Sequence, residues 1–149
     1  MGIKPDLFEQ IPLPRGTETC TRAPLECCLT HSEEPWRCDV SVRWESSPEG
    51  HRLEHVKQSI VQQGIASIDD VELAIRRAQF WVLNPSHKLE DIRNMSEEQL
   101  NKDQDDSQPI SKNAVCVDVS GPEVSDVTLV DLPGTLLCLV FNPGHFPSY

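Results

Sequence analysis

Apolar residues at Cys38, Val40, Val42 and Trp44 alternate with Asp39, Ser41 and Arg43. That period of two predicts a strand with one wet face. Leu25–Leu29 is a short apolar run carrying two cysteines and predicts another strand; the polar stretch Thr30–Pro35 between them suggests an antiparallel pair. Ser46-Ser47-Pro48-Glu49-Gly50 breaks the pattern. Beyond it Leu53, Val56 and Ile60 step by three and four, which predicts a short amphipathic helix ended by Gly64. A clearer helix follows. Ser67 is a good N-cap type, Asp69 and Asp70 suit the positive end of the helix dipole, and Ile68, Val71, Ile75, Ala78 and Val82 form one stripe, widened by Ala74 and Trp81. Asn84-Pro85 stops it. Phe80 and Trp81 read as packing residues rather than ligand contacts.

Residues 86–113 are polar and acidic, with a capping-box pattern at Ser96-Glu97-Glu98-Gln99 that predicts one short helical turn. The run Asp103-Gln104-Asp105-Asp106 lacks the glycine and closing glutamate of an EF-hand and reads as a solvated loop. Val115, Val117 and Val119 alternate again as a strand; Ser120-Gly121-Pro122 turns the chain; Val127–Val130 is a buried strand ending at Asp131-Leu132-Pro133-Gly134. Helices and strands intermix without an internal repeat, which favours an α/β domain with a mixed sheet.

The 149 residues suit one domain. A net charge of −11 excludes the clustered basic face of a nucleic-acid-binding module and offers no polybasic patch to anionic lipid. The apolar share is 38%, so the core is modest, and 12 prolines against 7 glycines imply long loops. No apolar run approaches the roughly 20 residues that span a membrane. The start lacks the pattern of a signal peptide, and Asp6 stands where a myristoylation motif needs Ser or Thr. These features predict a soluble, cytoplasmic chain. Cys20, Cys27, Cys28, Cys38, Cys116 and Cys138 form no C-x-x-C pair and are expected to be reduced and packed as small hydrophobes. The five histidines do not cluster, and no Ser-His-Asp or Cys-His set is apparent.

An apolar strand running into Asp-x-x-Gly has chemical meaning. Ligands of open α/β sheets gather at the carboxyl ends of strands. An aspartate there can hold Mg²⁺, and a glycine three residues on lets a backbone N–H approach a terminal phosphate. Alone, the motif is weak. It stands here with Leu13-Pro14-Arg15-Gly16-Thr17-Glu18-Thr19-Cys20-Thr21-Arg22-Ala23-Pro24-Leu25, with Val115–Pro122, and with Val127-Thr128-Leu129-Val130-Asp131-Leu132-Pro133-Gly134. In that order these strings strongly resemble the GTPase domain of the dynamin superfamily.

The resemblance implies an incomplete Ras-like, dynamin-type domain, a mixed sheet flanked by helices. Residues 1–10 would be an N-terminal tail, 11–134 a partial GTPase domain from switch I to switch II, and 135–149 a divergent tail. Thr21 matches the switch-I threonine that binds Mg²⁺ and helps orient the attacking water. Asp131 matches the switch-II aspartate of the Mg²⁺ shell, and Gly134 the glycine whose N–H meets the γ-phosphate. Arg15 and Gly16 match the loop that seats a monovalent cation in this family, although Glu18 stands where better-known members have a second glycine. Cofactors of the intact family are Mg²⁺ and GTP, and its full-length members polymerise on membranes and remodel or divide them.

Two family motifs are missing from the sequence. No Gly-Lys-Ser or Gly-Lys-Thr occurs, so the phosphate loop G-x-x-x-x-G-K-[ST] is absent, and no T-K-x-D or N-K-x-D follows Gly134. Asn101-Lys102-Asp103-Gln104 lacks the final aspartate and precedes Asp131. The expectation is a fragment of a dynamin-like GTPase that does not hydrolyse or bind GTP by itself. A second reading is a non-catalytic partner of a full-length relative, or of itself. It would use the Ser67–Val82 helix or a sheet position left open by the missing first strand. Membrane contact would come only through other domains. A third reading, an unrelated α/β domain, predicts the Thr21 string far from Asp131. The apolar stretch Thr135–Phe141 departs from the family; a retained intron or misplaced gene boundary after Gly134 would explain it, and so would a short terminal strand on the sheet.

Overall fold

The computed structural model of the chain describes residues 22–102, 111–131 and 138–140. The strands are β1 (Leu25–His31), β2 (Arg37–Ser46), β3 (Arg52–Ile65), β4 (Ala114–Gly121), β5 (Val127–Asp131) and β6 (Cys138–Val140). Between β3 and β4 come α1 (Ile68–Leu83), α2 (Leu89–Asn94) and α3 (Glu97–Lys102). The strands form one sheet in the order β3-β2-β4-β1-β5-β6. β1 runs parallel to β4, and the other pairings are antiparallel, so this is the mixed α/β sheet the sequence implies.

Register puts every second side chain on a common face. Cys27 pairs with both Val117 and Leu129, and Val117 pairs with Val40. Leu25, Leu29, Cys38, Val42, Val115, Val119 and Val127 continue that face, and all are buried. α1 lays its stripe of Val71, Ala74, Ile75, Ala78 and Val82 over β2, β3 and β4. Trp81 meets Trp44 edge to face at 4.9 Å, as expected of a packing residue. α1 therefore has no free apolar stripe to offer a partner: its hydrophobic residues are buried except half-buried Leu73 and the N-terminal Ile68. The opposite face is polar, with Glu26, Asp39, Ser41, Arg43 and Asp118 at the alternate positions.

Several expectations change. The helix predicted over Leu53–Gly64 is instead β3, a strand paired along β2. Val56 and Ile60, two of the three residues of the supposed stripe, are 59% and 43% exposed, so they never formed a core face. The predicted breaker is present, as the hairpin turn between β2 and β3. Ser47 and His51 are joined by a backbone bond of 2.7 Å, and Gly50 takes φ +88°, which favours glycine. Gly64, at φ +68°, aims its N–H at Asp39 Oδ1, 2.7 Å away, beside a register shift in the β2–β3 pair.

β1 and β2 are not a hairpin pair, because β4 lies between them. A short polar link between the two strands suggests adjacency, but β4 enters between them, parallel to β1 and antiparallel to β2. The polar stretch after Pro85 holds two helices rather than one. Ser96 and Gln99 form the predicted capping box, with Ser96 N–H to Gln99 Oε1 at 2.8 Å and Gln99 N–H to Ser96 Oγ at 3.3 Å. α2 was not anticipated; its single buried residue, Ile92, is too little for a periodic signal. Ser67 is the N-cap residue of α1, but its hydroxyl makes no capping bond. The cysteines Cys27, Cys28, Cys38 and Cys116 are free thiols, in line with the reduced state expected; Cys20 and the side chain of Cys138 lie outside the description.

Candidate functional site

The carboxyl end of β5 and the amino end of β1 meet at one end of the sheet. Leu25 pairs with Asp131 on one side and with Val115 on the other. Asp131 is half-buried, on the same face as the apolar core. The described ends of the two motif strings, Arg22–Leu25 and Val127–Asp131, therefore lead into or lie on adjacent strands. The separation of Thr21 from Asp131 that an unrelated α/β domain predicts lies outside the described residues. Arg15, Gly16, Thr21 and Gly134 lie outside the described residues, so of the predicted site residues the structure places Asp131.

The approach to β1 is held by a small polar clamp. Ser111 N–H donates to the Arg22 carbonyl at 2.8 Å, and Val115 N–H to the Pro24 carbonyl at 2.9 Å. Asn113 N–H donates to Ser111 Oγ at 3.0 Å. The Asn113 carboxamide oxygen accepts from both Glu45 N–H, 2.8 Å, and Ser46 N–H, 2.9 Å. Ser111 and Asn113 are buried, so these bonds satisfy groups that water does not reach. The clamp ties the residue that follows Thr21 in the chain to the end of β2 and the start of β4. Sequence reading missed both residues. The available signal was a Ser-x-Asn stretch directly before a strand, which is common and carries no partner.

The polar face behind this end holds an ion pair. Arg43 Nη1 lies 2.9 Å from Glu26 Oε2, and Arg43 Nε lies 3.4 Å from Glu45 Oε1. Further along, Asp118 stands opposite Asp39 across the β2–β4 pair. Lost hydration, then the Asp39 and Glu26 charges, push the Asp118 carboxyl above the ordinary range. Burial pushes the thiols of Cys27 and Cys38 up to about 12 and that of Cys116 up to about 11, so none is poised as a nucleophile. Among the described residues no group of three His, Cys, Asp or Glu side chains is placed to hold a metal ion. A depression of about 350 Å³ beneath the β2–β3 hairpin is lined by Glu45, Arg52, Glu54 and Lys112 among others, with charges of both signs, and does not include Asp131. Among the described residues no helix is long and apolar enough to cross a membrane.

This constellation has relatives. Residues 7–137 match the profile of the dynamin family. The chain is 28% identical over 132 residues to the interferon-induced GTP-binding protein Mx2 of Sus scrofa, 30% over 132 residues to that of Bubalus bubalis, and 29% over 136 residues to that of Bos taurus. Each comparison covers 89% of this chain and 13% of the relative, so the chain spans about an eighth of the length of the proteins it matches. A family profile matched over most of the chain and the GTP-binding relatives agree: the chain belongs to the dynamin family and carries part of its GTPase domain.

Proposed function

We propose that this chain is the switch-bearing part of a dynamin-type GTPase domain. Asp131 and Thr21 are its Mg²⁺-binding residues, Gly134 is its γ-phosphate contact, and Arg15 and Gly16 belong to its switch-I cation loop. The pairing of Leu25 with Asp131 carries the reading, because it brings the strand that follows the Thr21 string beside the strand that ends in Asp131. The donor set fits the metal. Mg²⁺ takes oxygen ligands, keeps several waters and is usually bound through one or two protein groups plus phosphate oxygens. A lone carboxylate at the end of β5, completed by a hydroxyl and by nucleotide, suits that demand, and a dedicated cluster of three protein ligands is not required. Bound there, the metal would neutralise charge on the β- and γ-phosphates.

The chain's own residues have narrower tasks. The Asp131 carboxylate orients water or metal at the strand end. The Ser111–Asn113 clamp fixes the backbone that leaves the Thr21 string, so that string is anchored at one of its ends. The sequence lacks the lysine and backbone donors of a phosphate loop, so the reading assigns no hydrolysis to the chain alone. It also carries the family's cytoplasmic location, with membrane contact made through other domains. A second reading, a non-catalytic partner of a full-length relative, gains support from Val56 and Ile60, two exposed apolar residues on edge strand β3.

A titration with a fluorescent GTP analogue and Mg²⁺ tests the first reading. The chain is expected to show no saturable binding at micromolar nucleotide. A variant extended at its amino end by a strand and G-x-x-x-x-G-K-S should bind, and Asp131→Asn should weaken that binding in Mg²⁺ but not in EDTA. Saturable binding by the unextended chain, or indifference of the extended one to Asp131→Asn, would refute it.

A further inference from the structure

We infer that the outer edge of β3 is a self-pairing surface: two copies of this chain join their sheets there, β3 to β3, antiparallel about a two-fold axis at Gln58. The inference is independent of the nucleotide reading of Asp131.

β3 ends the sheet, and among the described residues no strand pairs with its outer side. An open edge of that kind is a template for another strand. Val56 and Ile60 are the two large hydrophobic residues exposed among the described residues, and both lie on β3. Four residues apart, they share one face of the strand with Gln58 between them. Gln58 and Ile60 stand opposite Arg43 and Ser41, which assigns that face to the polar side of the sheet. The Gln58 carboxamide N–H donates to Ser41 Oγ at 2.9 Å, in agreement.

The window open to a second strand is short. Pairing of β3 with β2 is regular from Lys57 to Ile60 and shifts register on either side, between Val40 and Ser41 and between Trp44 and Ser46. At its far end Arg93 of α2 donates from Nη2 to the Ile60 carbonyl at 2.6 Å and from Nε to the Val61 carbonyl at 3.1 Å. The guanidinium occupies those acceptors and guards the strand beyond Ile60. What a second strand meets is Val56-Lys57-Gln58-Ser59-Ile60.

The order of these five residues selects the occupant. They read apolar, polar, polar, polar, apolar in either direction. A copy set antiparallel about Gln58 puts Val56 opposite Ile60 of the second copy, twice, with Lys57 opposite Ser59 and Gln58 opposite itself. Apolar cross-strand pairs are favourable and directly opposed like charges are not. Other centres do worse. Glu54 or Lys57 on the axis would face its own charge, His55 on the axis sets Val56 against Glu54, and Val56 on the axis sets Ile60 against Arg52. A two-fold interface demands a surface complementary to itself, and this window has that property. The net charge of −11 opposes association elsewhere on the chain, whereas the window carries Lys57 as its one charged residue. Five pairs make a small interface, which places the dimer in the weak, transient class.

The test combines sedimentation velocity, across a micromolar-to-millimolar range of the full chain, with site-specific cross-linking. The chain is expected to dimerise reversibly. Val56→Lys should weaken the dimer about tenfold, through loss of two apolar cross-strand pairs. Gln58→Cys should form a disulfide between the two copies under mild oxidation, since opposed residues of an antiparallel pair have Cα atoms about 5.5 Å apart or less. Glu54→Cys should not, because four residues from the axis its two copies lie about 26 Å apart along the strands. Val56, Gln58 and Glu54 are all exposed, so the three variants leave the core intact. Peptide mass spectrometry separates a link between the two introduced cysteines from links made by native ones. A chain that stays monomeric at millimolar concentration, or a dimer indifferent to Val56→Lys, would overturn the self-pairing surface. Equal cross-linking of Gln58→Cys and Glu54→Cys would overturn the axis.

Discussion

Asn113→Ala removes one oxygen that serves two backbone donors. Glu45 N–H and Ser46 N–H point at the Asn113 carboxamide from 2.8 and 2.9 Å, at the end of β2 where pairing with β4 has run out. Asn113 is 4% exposed, whereas Glu45 and Ser46 are half-buried. Alanine leaves both donors without a partner, and water recovers part of the loss on the Glu45–Ser46 side. With a net value of about 0.5–1.5 kcal/mol per bond, the expected destabilisation is about 2 kcal/mol. Urea unfolding followed by tryptophan fluorescence reads it directly, since half-buried Trp44 precedes Glu45 in the chain and packs against the core. At a slope of about 2 kcal/mol per molar urea, the midpoint should fall by about 1 M. Asn113→Asp keeps an acceptor for both donors and should stay closer to the parent than alanine does. A loss under about 0.5 kcal/mol for alanine, or an aspartate variant as damaged as alanine, would refute the two-donor account.

Three further outcomes are expected. Gly121→Ala would set a Cβ 3.2 Å from Trp36 Cα and 3.3 Å from its ring, so it should cost about 1 kcal/mol in the same urea assay; no loss would mean that the turn after β4 yields freely. At pH 8 a thiol with a pKa near 12 is ionised at about one part in ten thousand, so alkylation followed by peptide mass spectrometry should label half-buried Cys28 well before Cys27 and Cys38; equal rates would contradict the packed core. The Asp118 carboxyl has a higher pKa folded than unfolded, so the folded state holds its proton more tightly and stability falls as pH rises through that window. Asp118→Asn should therefore be more stable than the parent at pH 7, with the advantage shrinking towards pH 4; an advantage that grows on acidification would reverse the assignment.

Much of this molecule is legible from residue order. Alternation over Cys38–Trp44 and Val115–Val119, and the stripe from Val71 to Val82, report local geometry. A strand repeats every two residues and a helix every 3.6, and burial on one face writes that period into the chain. The Asp131 motif and the string before Leu25 are likewise local, and they sufficed to identify the family.

Pairing is different, because a partner is chosen by a distant segment. β3 carries helix-spaced apolar residues yet is a strand, since β2 has an open edge to satisfy and a hairpin turn with Gly50 to bring β3 back to it. β4 enters between β1 and β2 after more than sixty residues of intervening chain, and no local period announces that. Asn113 is unremarkable in sequence and acquires its two bonds only when β4 delivers it to the end of β2. Local periodicity thus determined which segments are regular and which face is apolar. Tertiary structure decided which strands are neighbours, which polar groups complete one another's hydrogen bonds, and that β6 lies against the strand bearing Asp131, because those outcomes depend on groups far apart in the chain competing for the same unpaired edges.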